Sequence, residues 1–325
     1  MISPTVWIVF IALVVAMMAV DLGVFNRRDH VPGVKEAFRN TTIWIALAVL
    51  FGIFIWFGYE YNWMGLGLYE YEPMDDTTAL LKYFTGYLLE ESLSVDNLFV
   101  IALIFARFRI PKMYQHKVLF WGILGVLIFR GILIAVGTAL VHQFVWMFVF
   151  FGLLLLYSAY KMLRHDDESL VDNDIDKNKV VRFIRMFYPV NTQGSHGHFF
   201  VEQPDGKRAM TTLMIALIVV ELTDVMFAFD SVPAVLSITT DPFLVFSSNV
   251  FAILGLRSLY FVLSDFMDRF VHLKYSLIAI LSFIGVKMIL IPFKMHIPVW
   301  ASLGVIALML GAGVWSSLSS VKNQE

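Results

Sequence analysis

Residues Tyr87 to Val100 read YLLEESLSVDNLFV, and they interrupt an apolar run, 80–106, that is long enough to cross a bilayer. A hydrocarbon core of roughly 30 Å needs about 20 apolar residues in a helix. Glu90, Glu91 and Asp96 thus sit where an ionised carboxylate costs roughly 2.5 to 3.5 kcal/mol on insertion scales. A second run, 210–238, holds ELTDVMFAFDSVPA at 221–234, and placing Glu90 on Asp224 brings Asp96 onto Asp230. Each copy reads carboxylate, five residues, carboxylate, then a small polar residue, Asn97 in one and Ser231 in the other.

The likeness continues. WGILGVLIFRG (121–131) meets FAILGLRSLY (251–260), which brings Arg130 near Arg257 when about three residues are skipped, and YKML (160–163) meets VKMI (286–289), so Lys161 falls on Lys287. Each copy contains three spans, so the second must enter the membrane from the opposite side. The expected fold is therefore an all-α polytopic membrane protein of about nine transmembrane helices, containing two inverted three-helix repeats, spans 3–5 and 6–8. Many secondary transporters are built this way, with the substrate site near the midplane at the repeat interface.

Hydropathy gives spans at 5–25, 41–59, 80–106, 118–141, 144–163, 210–238, 243–264, 275–293 and 297–318. Of the 325 residues, 59% are hydrophobic and 15% charged, far from a soluble composition. The first run lacks a basic flank and a cleavage-like exit, so it reads as a retained span. The chain divides into an N-terminal two-span extension (1–79), repeat one (80–163), a hydrophilic linker (164–209), repeat two (210–293) and a final span with its tail (294–325). Lys and Arg collect after spans one, three, five and seven, which places those loops, the linker and the C-terminus in the cytoplasm and the N-terminus outside. The loop after span two carries Glu60, Glu70, Glu72, Asp75 and Asp76 instead, and reads as a solvated acidic surface. In the linker, Asp172, Asp174 and Asp176 imitate an EF-hand start, but Lys177 and Phe183 stand where Gly and Glu belong. His196 and His198 read as solvated surface.

Six acids lie in spans three and six: Glu90, Glu91, Asp96, Glu221, Asp224 and Asp230. Unpaired, they would cost on the order of 15 to 20 kcal/mol. The bases counted against them are Arg130, Arg257 and Lys287, so protons or a bound cation must balance the excess. The chain has no cysteine, which excludes thiolate ligands and thiol redox chemistry. Carboxylates beside Asn97, Asn249, Ser94, Thr223 and Ser231 suit a hard or borderline divalent ion such as Mn²⁺, Ca²⁺ or Mg²⁺. Met226 reads as core packing. At about 100° per residue, Glu90, Ser94 and Asn97 share a helix face, as do Asp224, Glu221 and Ser231. Asp96 and Asp230 fall about 120° from those faces, so gathering each pair calls for a helix break, which Pro233 offers in span six. Glu91, Asn249 and Asp21 rank as secondary, Asp21 as an interfacial residue.

FTGYLLEESLSVDNLFV and VELTDVMFAFDSVPAVLSITTDPFLVFSSNVFAILGLRSLYF resemble the two signature regions of the TerC family of bacterial inner-membrane proteins, closest to its Alx-type members. The resemblance runs from about Met17 to about Val314. It implies an inverted-repeat exporter associated with tellurite resistance and manganese efflux. The family's acidic signature falls on Glu90, Asp96, Asn97, Glu221, Asp224 and Asp230, while Glu91 departs from it. Together these readings give a multi-pass inner-membrane protein, not an enzyme, that exports a divalent cation, with Mn²⁺ favoured. Its partners are that ion and the lipid bilayer, with no nucleic acid and no resident cofactor. The metal set is Glu90, Asp96, Asn97, Glu221, Asp224, Asp230 and Ser231, with Arg130, Arg257 and Lys287 as intramembrane bases. The alternative is a membrane scaffold or protein-insertion partner whose contacts are made by the linker.

Overall fold

The computed structural model describes residues 3–21, 33–69, 72, 74–164, 186, 188–191, 197–202, 208–264, 273–295 and 297–322. Among them lie nine α-helices: α1 (Pro4–Val20), α2 (Val34–Glu60), α3 (Asp76–Arg107), α4 (Lys112–Gln143), α5 (Met147–Arg164), α6 (Thr212–Leu236), α7 (Pro242–Ser264), α8 (Leu273–Leu290) and α9 (Val299–Lys322). Seven of them are long and apolar enough to cross a membrane. The other two are α1, only 17 residues long, and α3, 32 residues long but carrying the acids. The chain is thus a multi-pass, all-α membrane protein.

Local chemistry sets the helix starts. Pro4 occupies the first turn of α1, where its missing N–H costs nothing, and the Ser3 hydroxyl accepts from Thr5 N. Thr211 does the same for Met214 N at the head of α6. Asp241 caps α7 through the N–H groups of Phe243 (2.9 Å) and Leu244 (3.4 Å).

Two expectations change. Helix α6 runs unbroken through Pro233, and α3 is likewise continuous. Pro233 lies three residues before the end of α6, so the helix loses one ladder bond near its last turn and has little beyond it to unwind. In and at the end of the linker, β1 (Val190–Asn191), β2 (Phe200–Glu202) and β3 (Arg208–Thr211) form a small sheet in the order β1-β3-β2. Strand β3 pairs parallel with β1 and antiparallel with β2, then runs directly into α6. Asp172, Asp174, Asp176 and His196 lie outside the described residues.

Helix α7 is central: 83% of its apolar window is buried, against 17–44% for the other six apolar spans. Its buried face includes Ser247, Ser248, Asn249, Arg257 and Ser258, a polar set for a helix with so little access to water. The most extensive helix pairs follow an exchange rule. Helix α3 packs on α7 as α4 packs on α6, and α3 touches α8 as α6 touches α5. The pairs α3 with α6, α4 with α7 and α5 with α8 map onto themselves. Helices α5 and α8 cross at two glycines, and a Cβ on Gly152 would lie 2.7 Å from the Gly285 carbonyl oxygen. The extension helices pack outside this six-helix unit, α2 on α3 and α7, and α9 on α3 and α8. Phe10 of α1 meets Phe51, Phe243 and Phe251.

Candidate functional site

The middle of the six-helix unit holds one arginine between two carboxylates from different helices. Arg130 of α4 is 1% exposed. Its Nη1 donates to Glu90 Oε1 of α3 and, at 3.0 Å, to Asn249 Oδ1 of α7. Its Nη2 and Nε face Asp224 of α6, at 3.3 Å to Oδ1 and 3.4 Å to Oδ2. The Asn249 amide is oriented from behind, donating to the Val245 carbonyl oxygen at 3.1 Å. Four helices thereby converge on one guanidinium, whose planar fork suits two carboxylates better than an ammonium would.

This cluster is not saturated. Glu90 is fully buried, and its Oε2 has no hydrogen-bond partner among the described residues. The same holds for the Ser231 hydroxyl, 1% exposed and close to Glu90. Ser94 Oγ reaches Glu90 Oε1 only at 3.5 Å, one turn along the face that the sequence spacing defines. Asn97, one turn farther, is also buried. With two carboxylates to one guanidinium, the ionised centre carries one excess negative charge. Buried atoms without partners are costly, and unused oxygens beside an excess negative charge are what a cation uses.

The other expected residues are distributed around this centre. Asp230 is half-buried and accepts from Ser158 Oγ of α5 at 2.7 Å, apart from Arg130. Glu91 accepts from the Tyr87 hydroxyl at 3.0 Å and lies over Gly255 of α7, where a Cβ would come within 3.5 Å of its Oε1. Glu221 lies over Gly125 of α4 more tightly, where a Cβ would run into its carboxylate, and its Oε2 has no partner among the described residues. Gly125 and Gly255 thus each leave a notch for an acid on a neighbouring helix, Glu221 and Glu91 in turn. Arg257 pairs with Asp21 at the end of α1, so Asp21 does more than sit at an interface. Met226, read as core, is 58% exposed. The side chain of Asp96 lies outside the described residues. Among the described residues, no three His, Cys, Asp or Glu side chains converge as a metal-holding group.

A second network, largely buried, is not marked by the sequence pattern. Glu72, in the acidic loop after α2, pairs with Lys82 of α3 through Oε1. Its Oε2 accepts from Thr239 Oγ1 (2.8 Å), Thr240 N (2.6 Å) and Thr240 Oγ1 (3.1 Å). The Tyr59 hydroxyl of α2 donates to Asp241 Oδ2 at 2.8 Å. Lys287 of α8, 6% exposed, faces Lys82 and Glu72. The signal for Lys82 was present, since a lysine inside an apolar run needs a partner as much as an acid does. Glu72 carried no such signal, because its spacing resembles that of any solvated loop.

Comparison with known proteins bears on this geometry. The integral membrane protein TerC family matches residues 75–325, which contain the Arg130 centre and, of the second network, Lys82, Thr239, Thr240, Asp241 and Lys287 but not Tyr59 or Glu72. The uncharacterized membrane protein STKORF319 of Myxococcus xanthus is 42% identical over 97% of this chain and 92% of its own length. The protein Alx of Escherichia coli K12, whose name describes a membrane-bound redox modulator, is 42% identical over 94% and 91%. The chloroplastic thylakoid membrane protein TERC of Arabidopsis thaliana is 41% identical over 93% of this chain and 73% of its own. No solved structure matches the chain.

Proposed function

The chain belongs to the TerC family of integral membrane proteins, and from that premise we propose that it exports a divalent cation, with Mn²⁺ the favoured cargo, by alternating access. It does so as two inverted repeats, α3–α5 and α6–α8, in a bacterial inner membrane with the N-terminus outside and the C-terminus cytoplasmic. The exchange rule in the helix contacts supports the repeat, and the basic loops support the orientation.

The observation that carries the reading is Arg130, placed between Glu90 of one repeat and Asp224 of the other, with Glu90 Oε2 unused. A bridge between the two moving halves is where a transported ion is expected to bind. In this state the guanidinium holds the carboxylates that would take the cargo. When Arg130 swings aside, Glu90 and Asp224 supply charged oxygens, and Asn97, Asn249 and Ser231 supply neutral ones. Asp230 of the second repeat extends the acidic path, and Glu221 and Glu91 flank it. Arg257 and Lys287 hold neighbouring charges rather than this centre. The redox role in the Alx relatives' name has no thiol to work through here, since the chain has no cysteine.

The test is transport by purified protein in lipid vesicles, loaded in turn with Mn²⁺, Mg²⁺ and Ca²⁺, with and without a pH gradient. Parent protein should move Mn²⁺, and Asp224→Asn should lower the rate by about two orders of magnitude, as loss of a buried charged ligand worth about 3 kcal/mol implies. Parent-level Mn²⁺ flux in Asp224→Asn would remove the centre from the mechanism.

A further inference from the structure

We infer that Glu72 is the latch of a gate at the end of the bundle formed by the α2–α3 loop and the α6–α7 turn. The inference rests on the alternating-access reading above. A single carboxylate here joins three parts of the chain. Glu72 itself belongs to the loop before α3, its Oε1 pairs with Lys82 of the first repeat, and its Oε2 takes three hydrogen bonds from Thr239 and Thr240 of the second. Those two threonines lie in the turn that links α6, carrying Asp224, Asp230 and Ser231, to α7, carrying Asn249.

The surroundings complete the device. Asp241, next in the turn, is fixed by Tyr59 of α2 and by its own capping bonds to Phe243 and Leu244. Lys287 of α8 faces Lys82 and Glu72. Two carboxylates and two ammonium groups, on the loop, the turn, α3 and α8, thereby form a balanced set in which Lys82, Asp241 and Lys287 are buried and Glu72 stands partly exposed at the edge. Such a set is stable while its members stay together and costly when only one leaves. Rocking one repeat against the other changes the separation between α3 and the α6–α7 turn, and Glu72 spans that gap. Its bonds hold one state of the cycle and must open in the other. A loop residue suits that role, because it can move into water without unfolding a helix.

The absence of native cysteine makes the gate directly testable. A single cysteine at Ser231, 1% exposed beside the centre, would be challenged with a membrane-impermeant thiol reagent from the side on which a cysteine at exposed Leu68 reacts. In the parent background, Ser231→Cys should react slowly from that side. With Glu72→Gln or Thr240→Val added, it should react about tenfold faster, the change that loss of one charged hydrogen bond makes in a two-state equilibrium. A cysteine at Ala159, in the α5 core, must stay unreactive in the same backgrounds, which separates gate opening from unfolding. Unchanged Ser231→Cys reactivity in both variants overturns the latch. Equal reactivity gains at Ala159 also overturn it, because they make Glu72 a general stabiliser. A Glu72→Cys/Thr240→Cys pair, oxidised with copper phenanthroline and released with a reductant, should stop and then restore Mn²⁺ flux. Parent flux with the bridge closed overturns the gate. Absence of flux in the parent defeats the cation reading and leaves the reactivity result to stand separately.

Discussion

Arg130 shows how one residue can decide the state of a buried site. Its guanidinium satisfies part of Glu90 and most of Asp224, and each would otherwise be an isolated charge in a low-dielectric interior. Removing one partner of such a pair costs about 3 to 5 kcal/mol, because the remaining charges are left uncompensated. Arg130→Met should therefore lower the thermal unfolding midpoint of detergent-purified protein, and Arg130→Met/Glu90→Gln/Asp224→Asn should recover most of the loss; a triple variant no more stable than Arg130→Met would sink the pairing. Glu90, Asp224 and Asn249 were legible because polar side chains in an apolar run must face each other. The role of Glu72 was not, since nothing in its spacing reveals that a turn 167 residues away supplies three donors. Lys82 lay between these cases, visible as a buried charge but without a nameable partner.

At the level of elements, the helices came from hydropathy and the breaks did not. Pro233 sits too near the end of α6 to divide it, and the glycines that matter mark contacts rather than kinks. Gly152 and Gly285 let α5 and α8 touch backbone to backbone, a use of small residues that apolar patterning cannot distinguish from filler. The turn between α6 and α7 has its own pH dependence. Burial pushes the Asp241 carboxyl up from 3.8 to about 6; the Tyr59 hydroxyl and the Phe243 and Leu244 N–H groups oppose that rise, and Glu72 nearby adds to it. The folded protein thus holds a proton there that the unfolded chain releases. That contribution is complete below 3.8 and is lost as pH rises through about 6. Between about pH 5 and about pH 7.5, the unfolding midpoint of the parent should fall more than that of Asp241→Asn, which keeps one oxygen to accept the cap's N–H groups and offers an amide N–H to the Tyr59 oxygen, without titrating. Parallel curves for the two proteins would show that Asp241 does not titrate in this range.

Among the described residues, the whole molecule is a packed set of nine helices, and its all-α, multi-pass character was readable because long apolar runs recur along the chain. What a sequence of apolar helices withholds is the choice of neighbours. That α7 is the buried axis, and that α1 reaches it through the pairing of Asp21 with Arg257, follows from packing that many apolar faces would satisfy equally well. Orientation can be tested on intact cells with single cysteines. Gly33 has free space around an added Cβ, whereas Gly67 holds a left-handed φ of +81° with Asn62 Oδ1 2.9 Å from such a Cβ, so the exposed Leu68 is the better probe. An impermeant reagent should label the cysteine at 68 and spare the one at 33, and the reverse pattern would invert the assigned topology.

The guanidinium at the centre has one more consequence under the export reading. A site that carries its own tethered competitor does not stand open to sodium, potassium or scarce metals. Any cargo must displace a positive charge that is always present at high local concentration, so occupancy rises only when the ion is abundant. Such a protein would idle at ordinary ion levels and begin to work at a threshold, with no separate sensor needed.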